Sequence, residues 1–182
     1  DEVEVVYHSF ELDPNSPRGQ RESNIAMLSK KFGKSPAEAL AMDDRVGDLA
    51  RAEGLGFDSE RPVGNTFDLH RVIHLGRDRG IQGAVLGAVN EAYFARARDV
   101  FDRDVLIEIA AGAGLDAAEV AVVLDCDSYA DAVRQDEKQA SQIGINGVPF
   151  FVFDMALGAS GAQPTELFSG ALTQAWEGST HD

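Results

Sequence analysis

The feature that most constrains this chain is an abrupt change of pattern near its end. Through most of its length apolar side chains recur at helical spacing, but Val148-Pro149-Phe150-Phe151-Val152-Phe153 runs without interruption. Such a run is too short for a typical helix and too continuous for a strand with one wet face. It therefore predicts a strand buried on both faces, headed by proline where a missing N–H is tolerated. Asp154 to Ala156 can turn the chain into a second strand, Leu157 to Ser160. Pro164 then opens a last helix, and Leu167, Phe168, Ala171, Leu172, Ala175 and Trp176 give it a continuous apolar face to bury.

At the other end Val3 to Phe10 is rich in β-branched and aromatic residues, which predicts a strand broken by Asp13-Pro14-Asn15-Ser16-Pro17. Between the two ends the pattern is read as helix, with Pro14 to Gln20 and Gly54 to Asn65 as linker candidates. Arg21 to Phe32 carries Ile25, Leu28 and Phe32 at helical spacing before Gly33, and Ser35-Pro36-Ala37-Glu38 matches a capping box that starts a second helix. Ala39, Met42, Val46 and Leu49 should be the buried stripe of that helix. Leu69, Val72 and Ile73 mark a third helix, and Val85, Leu86, Val89 and Tyr93 a fourth. Asp102 and Asp116 cap two shorter ones, and Ser128 a longer one closed by Gly144. The region from Arg21 to Leu124 is thus expected to be helical throughout. A lone strand first, a hairpin and helix last, and helices between them predict one α/β domain interrupted by an all-helical insertion. The expected parts are 1–15 and 128–182 for the α/β domain and 16–127 for the insertion, with the two ends meeting in space.

Composition narrows the chemistry. With 31 acidic against 16 basic residues the net charge is -15, which repels phosphate backbones and anionic headgroups, so neither a nucleic acid nor a membrane surface is expected as partner. The one cysteine, Cys126, can close no intrachain disulfide and form no thiolate zinc cluster. No apolar run approaches the roughly 20 residues that span a bilayer, and the expected location is cytoplasmic. The chain opens on Asp1 without a methionine and enters a strand-like stretch at once, so further residues are expected upstream.

The most specific constellation is Gly144-Ile145-Asn146-Gly147-Val148-Pro149 leading into the phenylalanine-rich strand. A glycine-flanked loop entering a strand through Val-Pro suits a cis peptide, because the proline amide nearly removes the trans preference. That geometry would expose the Val148 main chain for pairing with an extended or thiol-bearing ligand by strand addition. The plainer alternative, that Pro149 only begins a strand, stays open on these residues alone. Cys126 lies between Asp125 and Asp127, whose charges should raise its pKa and oppose thiolate chemistry. His70 and His74 share the i, i+4 spacing of a metal pair but lack the glutamate of H-E-x-x-H, and read as ordinary surface or interface histidines. Asp43-Asp44 and Asp99 to Asp104 lack the spacing of a calcium loop, and Gly112-Ala113-Gly114 joins helices, where a dinucleotide fingerprint would follow a strand. No metal and no cofactor is expected.

The Gly-Ile-Asn-Gly-Val-Pro-Phe-Phe-Val segment resembles the cis-proline loop of the DsbA-like branch of the thioredoxin superfamily. Ser160-Gly161-Ala162-Gln163-Pro164, Phe10-Glu11-Leu12-Asp13-Pro14, and Asn65-Thr66-Phe67 with His70-Arg71 are similar to the FrnE type of thiol-disulfide oxidoreductase. The resemblance covers essentially the whole chain. It implies a thioredoxin-like fold with a helical insertion, and a Cys-x-x-Cys pair after a first strand that would lie upstream of Asp1. That strand would run between Val3–Phe10 and Val148–Asp154. The resemblance also places the His70-Arg71 region against the thioredoxin-like half.

On that resemblance the expected function is thiol-disulfide exchange, with Pro149 as the catalytic-loop residue, Val148 and Gly147 binding substrate, and Gly161 and Gln163 shaping the rim. The expected partner is a thiol- or disulfide-bearing protein or small molecule, glutathione included, and a homodimer is compatible with the pattern. Two alternatives share the architecture. One is a glutathione-using transferase or 2-hydroxychromene-2-carboxylate isomerase with serine replacing the first cysteine, and the other is a redox-dead binding module.

Overall fold

The computed structural model describes residues 3–179. Contacts divide the chain into two units, Asp1–Arg134 and Gln135–Asp182. The first unit is mostly helical. Its elements are β1 (Arg21–Ser23), α1 (Asn24–Phe32), α2 (Pro36–Ala52), β2 (Pro62–Gly64), α3 (Phe67–Asp78), α4 (Gln82–Asn90), α5 (Arg103–Gly112) and α6 (Ala117–Asp125). A π-helical turn, Glu91–Ala95, continues α4. The caps are where their chemistry puts them. Ser35 and Glu38 form a full capping box, and the Asp102 carboxylate accepts the Asp104 and Val105 N–H groups at 3.0 and 3.1 Å. The Asp116 carboxylate accepts the Glu119 N–H at 2.9 Å. Each cap satisfies donors that the first helical turn leaves without an intrahelical partner.

Helices α3 to α6 enclose the main core, in which Val72, Leu75, Val85, Leu106, Ala110, Val120 and Val123 are buried. The all-helix expectation needs one correction. Arg21–Ser23 and Pro62–Gly64 pair as an antiparallel ladder, and α1 begins only at Asn24. Strands of three residues are too short to display alternation, so they leave no period for a sequence to reveal.

Helix α2 departs from expectation in a second way. Its buried residues are Ala39, Asp43 and Gly47, while Val46 and Leu49 are 54% and 71% exposed. The rotation follows from a buried ion pair. The Arg61 guanidinium donates to both Asp43 carboxylate oxygens at 3.1 and 2.9 Å, and its carbon lies 4.5 Å from the Phe57 ring centroid. A Cβ on Gly47 would come within 2.8 Å of the Phe57 ring, so only glycine lets that ring lie so close to the helix. Satisfying a buried charge outweighs burying two aliphatic side chains that water tolerates at the surface.

Residues 3–10 were expected to be a strand. They have no strand neighbour among the described residues, and Val3, Val5, Val6 and Tyr7 are exposed. A ladder needs a second chain segment to supply its hydrogen bonds. At Tyr7 a side chain does this instead: the Tyr7 N–H donates to Gln82 Oε1 at 3.2 Å, and Gln82 Nε2 donates to the Tyr7 carbonyl at 2.8 Å.

Helix α7 (Ala130–Gln142) starts two positions beyond the cap expected at Ser128 and spans the boundary between the units. In the second unit β3 (Phe150–Phe153) and β4 (Leu157–Ser160) form an antiparallel hairpin with Phe150 opposite Ser160 and Phe153 opposite Leu157. Asp154 and Met155, both at positive φ, turn the chain between them. Helix α8 (Thr165–Ser179) follows, and Phe168 meets Phe151 edge to face at 4.7 Å between centroids. The expected burial of β3 on both faces, and of the whole apolar face of α8, is not realised. Phe151, Val152, Leu167, Leu172 and Trp176 are all exposed. Among the described residues β4 is the one strand paired with β3, and α8 packs on it, which is too little to cover two faces.

Candidate functional site

The loop between α7 and β3 carries the residues singled out by sequence. The Val148–Pro149 peptide is cis. Val148 is 48% exposed, and its main chain makes no hydrogen bond among the described residues. The Pro149 carbonyl, by contrast, is fixed: it accepts the Gly161 N–H at 2.8 Å. Gly161 has φ +81°, a conformation that favours glycine, and Gln163 Nε2 donates to the Ser160 carbonyl at 2.7 Å. The structure therefore brings Val148, Pro149, Gly161 and Gln163 together at one end of the hairpin, beyond the paired residues Phe150 and Ser160. Gly147 lies in the same loop, and nothing stands within 4 Å of where its Cβ would be. Chemically the arrangement offers a free main-chain donor and acceptor on a rigidly bonded turn. That suits an extended ligand pairing as a strand would.

A second cluster forms in the helical unit, where the segments Phe10–Pro14 and Asn65–Phe67 meet. Asn65 Nδ2 donates to the Ser16 carbonyl at 2.8 Å while its Oδ1 accepts the Phe67 N–H at 3.0 Å. Arg134 donates to the buried Glu11 carboxylate at 2.7 Å and lies over the Phe67 ring, 4.3 Å from its centroid. Arg18 lies over the same ring at 4.5 Å, and Arg71 at 6.0 Å. Sequence reading missed Arg18, Arg134 and the depth of Arg71. The pairing of Glu11 with Arg134 spans almost the whole unit and has no local signature.

The remaining candidates settle into structural roles. Arg71 is buried, pairs with Asp68 at 2.8 Å, and donates to the carbonyls of Val123, Cys126 and Ser128. A cation at a helix C-terminus meets carbonyls that have no intrahelical donor, so Arg71 closes the end of α6. His74 is buried, with Nε2 at 3.1 Å from Ser9 Oγ, and stacks on Tyr129; it is not a surface histidine. Burial and a hydrogen bond to Asp78 push the Tyr129 phenol up to about 12, so it stays protonated at neutral pH. The expected rise in the Cys126 pKa is overturned. Ser128 faces the sulfur through its hydroxyl at 3.0 Å and its N–H at 3.4 Å, and these bonds lower the thiol pKa despite Asp127. Among the described residues no group of three or more His, Cys, Asp or Glu side chains is placed to hold a metal ion. Among them too, no helix is long and apolar enough to cross a membrane.

A glycine-rich loop, a cis Val-Pro bond, a two-stranded hairpin and a helix packed on it make up the C-terminal portion of a thioredoxin-like domain. The chain belongs to the DSBA-like thioredoxin domain family, whose profile matches residues 1–173. Among solved structures, the crystal structure of a probable DsbA oxidoreductase from Streptomyces coelicolor is 50% identical and superposes with a TM-score of 0.92. The alignment covers 96% of this chain and 76% of that one. No curated protein matches the sequence. The fold is therefore DsbA-like thioredoxin, mixed α/β with a helical insertion, and at the level of the family the function is of the thiol-disulfide oxidoreductase type.

Proposed function

We propose that this polypeptide works as a thiol-disulfide oxidoreductase of the FrnE type, with a Cys-x-x-Cys pair upstream of Asp1 and the Val148–Pro149 loop aligning the substrate. The observation that carries the reading is family membership across 1–173, joined to 50% identity with a probable DsbA oxidoreductase. The uncovered apolar side chains of residues 3–7 support it, and so do those of β3, because each of these extended runs suits a further strand beside it. In the exchange a thiolate of the pair attacks one sulfur of the substrate disulfide, forming a mixed disulfide and releasing a substrate thiolate. The second cysteine, as thiolate, then attacks its neighbour's sulfur in that mixed disulfide. The pair ends oxidised and the substrate ends as two thiols, and the reverse sequence oxidises a dithiol. During either direction the free N–H and C=O of Val148 would hold the substrate main chain beside the sulfurs, and Gly161, through Pro149, would keep the loop in place. The substrate is a thiol- or disulfide-bearing protein or small molecule.

Insulin reduction, followed by turbidity with dithiothreitol as the electron source, tests the proposal. The full-length protein should accelerate precipitation well above the uncatalysed rate. The 182-residue chain, with one thiol, should not. Equal activity from both, or a full-length protein without a cysteine pair, would sink the reading.

A further inference from the structure

Three guanidiniums surround the Phe67 ring, and two of them have their carboxylate within the chain. Arg134 pairs with Glu11 and Arg71 with Asp68. Arg18, lying over the same ring at 4.5 Å, makes no ion pair among the described residues and faces solvent. We propose that Arg18 is the anchor of a carboxylate-binding subsite, in which a carboxylate of the bound ligand supplies the third counter-charge of the cluster.

The placement argues for a built feature. Phe67 is itself buried, and Asn65 ties Ser16, two residues before Arg18, to the start of α3, so the loop that carries Arg18 is held over the ring. Arg18 and Arg134 both approach the centroid closely, which brings two like charges within about one Debye length, roughly 8–10 Å at physiological salt. Glu11 answers Arg134 and Asp68 answers Arg71, while no carboxylate among the described residues pairs with Arg18, in a chain whose net charge is -15. A guanidinium held over a ring face still has N–H groups free to meet the two oxygens of a carboxylate. The aromatic face also fixes the side chain, which lowers the entropy lost when the ligand binds.

The subsite itself is read by binding alone, so it stands or falls apart from the thiol chemistry. The test is a titration of 15N-labelled full-length protein with succinate, with its uncharged diamide and with inorganic phosphate, at ionic strength matched by sodium chloride. The Arg18 Nε–H resonance should move saturably with succinate and stay still with the diamide. Arg18→Gln should weaken succinate binding at least tenfold, and Arg18→Lys, which keeps charge but loses the planar fork and the stacking, should weaken it less. No saturation above the sodium chloride control, unchanged binding by Arg18→Gln, or saturation by phosphate alone would each overturn the proposal.

Discussion

Removing the Asp43 carboxylate should cost the helical unit more stability than any surface substitution, and the structure allows the size of the loss to be worked out. Asp43 and Arg61 have side chains only 6% and 8% exposed, joined by two hydrogen bonds. At an effective dielectric constant near 20, unit charges about 4 Å apart attract by about 4 kcal/mol. Taking away one member of a buried pair costs about 3–5 kcal/mol, because the other is left charged and uncompensated. Arg61 would keep a hydrogen bond to the Asp58 carbonyl at 2.8 Å and its contact with Phe57, which puts Asp43→Ala toward the lower end, near 3 kcal/mol. In a chain of this size that lowers the melting temperature by about 6–12 °C. The double variant Asp43→Leu/Arg61→Met, which removes both charges, should recover much of the loss.

The same pair sets an acid limb. Burial alone would raise the Asp43 pKa, but the two hydrogen bonds from Arg61 and its charge hold it below its ordinary value. The unfolded chain, with its carboxylate near 3.9, therefore binds the proton first as pH falls. The stability contribution is complete above about 4 and disappears as pH drops through the folded value. Urea unfolding followed by circular dichroism at pH 7, 4 and 3 measures both effects. A loss below about 1 kcal/mol for Asp43→Ala, or a double variant no more stable than the single ones, would refute the argument from burial.

Ser35→Ala should destabilise by about 1 kcal/mol through the lost cap of α2, read from the same urea curves. The Glu38 carboxyl is held below its ordinary value by the Ser35 hydroxyl and N–H, so the cap should weaken only at acid pH, as Glu38 takes up a proton. The Cys126 thiol should react with a disulfide reagent at a lower pH midpoint in the native protein than in Ser128→Ala, since Ser128 lowers its pKa; an unshifted midpoint would remove Ser128 from the explanation.

Local chemistry was legible in the sequence wherever donor, acceptor and spacing lie within a few residues. The Ser35–Glu38 box, the Asp102 and Asp116 caps and the hairpin around Asp154 and Met155 all belong to this class. Features decided by partners far along the chain were not. The orientation of α2 depends on Arg61, which periodicity within 36–52 cannot see, so a stripe of aliphatic residues was read as the buried side. Arg71 likewise gives no sign of its burial within its own helix, because the carbonyls of Val123, Cys126 and Ser128 that it meets lie more than fifty residues away. The β1–β2 ladder was too short to read, and the composition of 3–10 announces an extended conformation without naming its neighbour.

Gln82 gives that extended run a direction of growth. An extended backbone offers the N–H and C=O of any one residue to the same side and those of the next residue to the opposite side. With its amide clasping both groups of Tyr7, Gln82 closes that margin as a sheet's own outer strand would. A second molecule seeking to zip onto the run there must first evict the glutamine, so Gln82→Ala would leave the chain more open to edge-to-edge polymerisation along that margin.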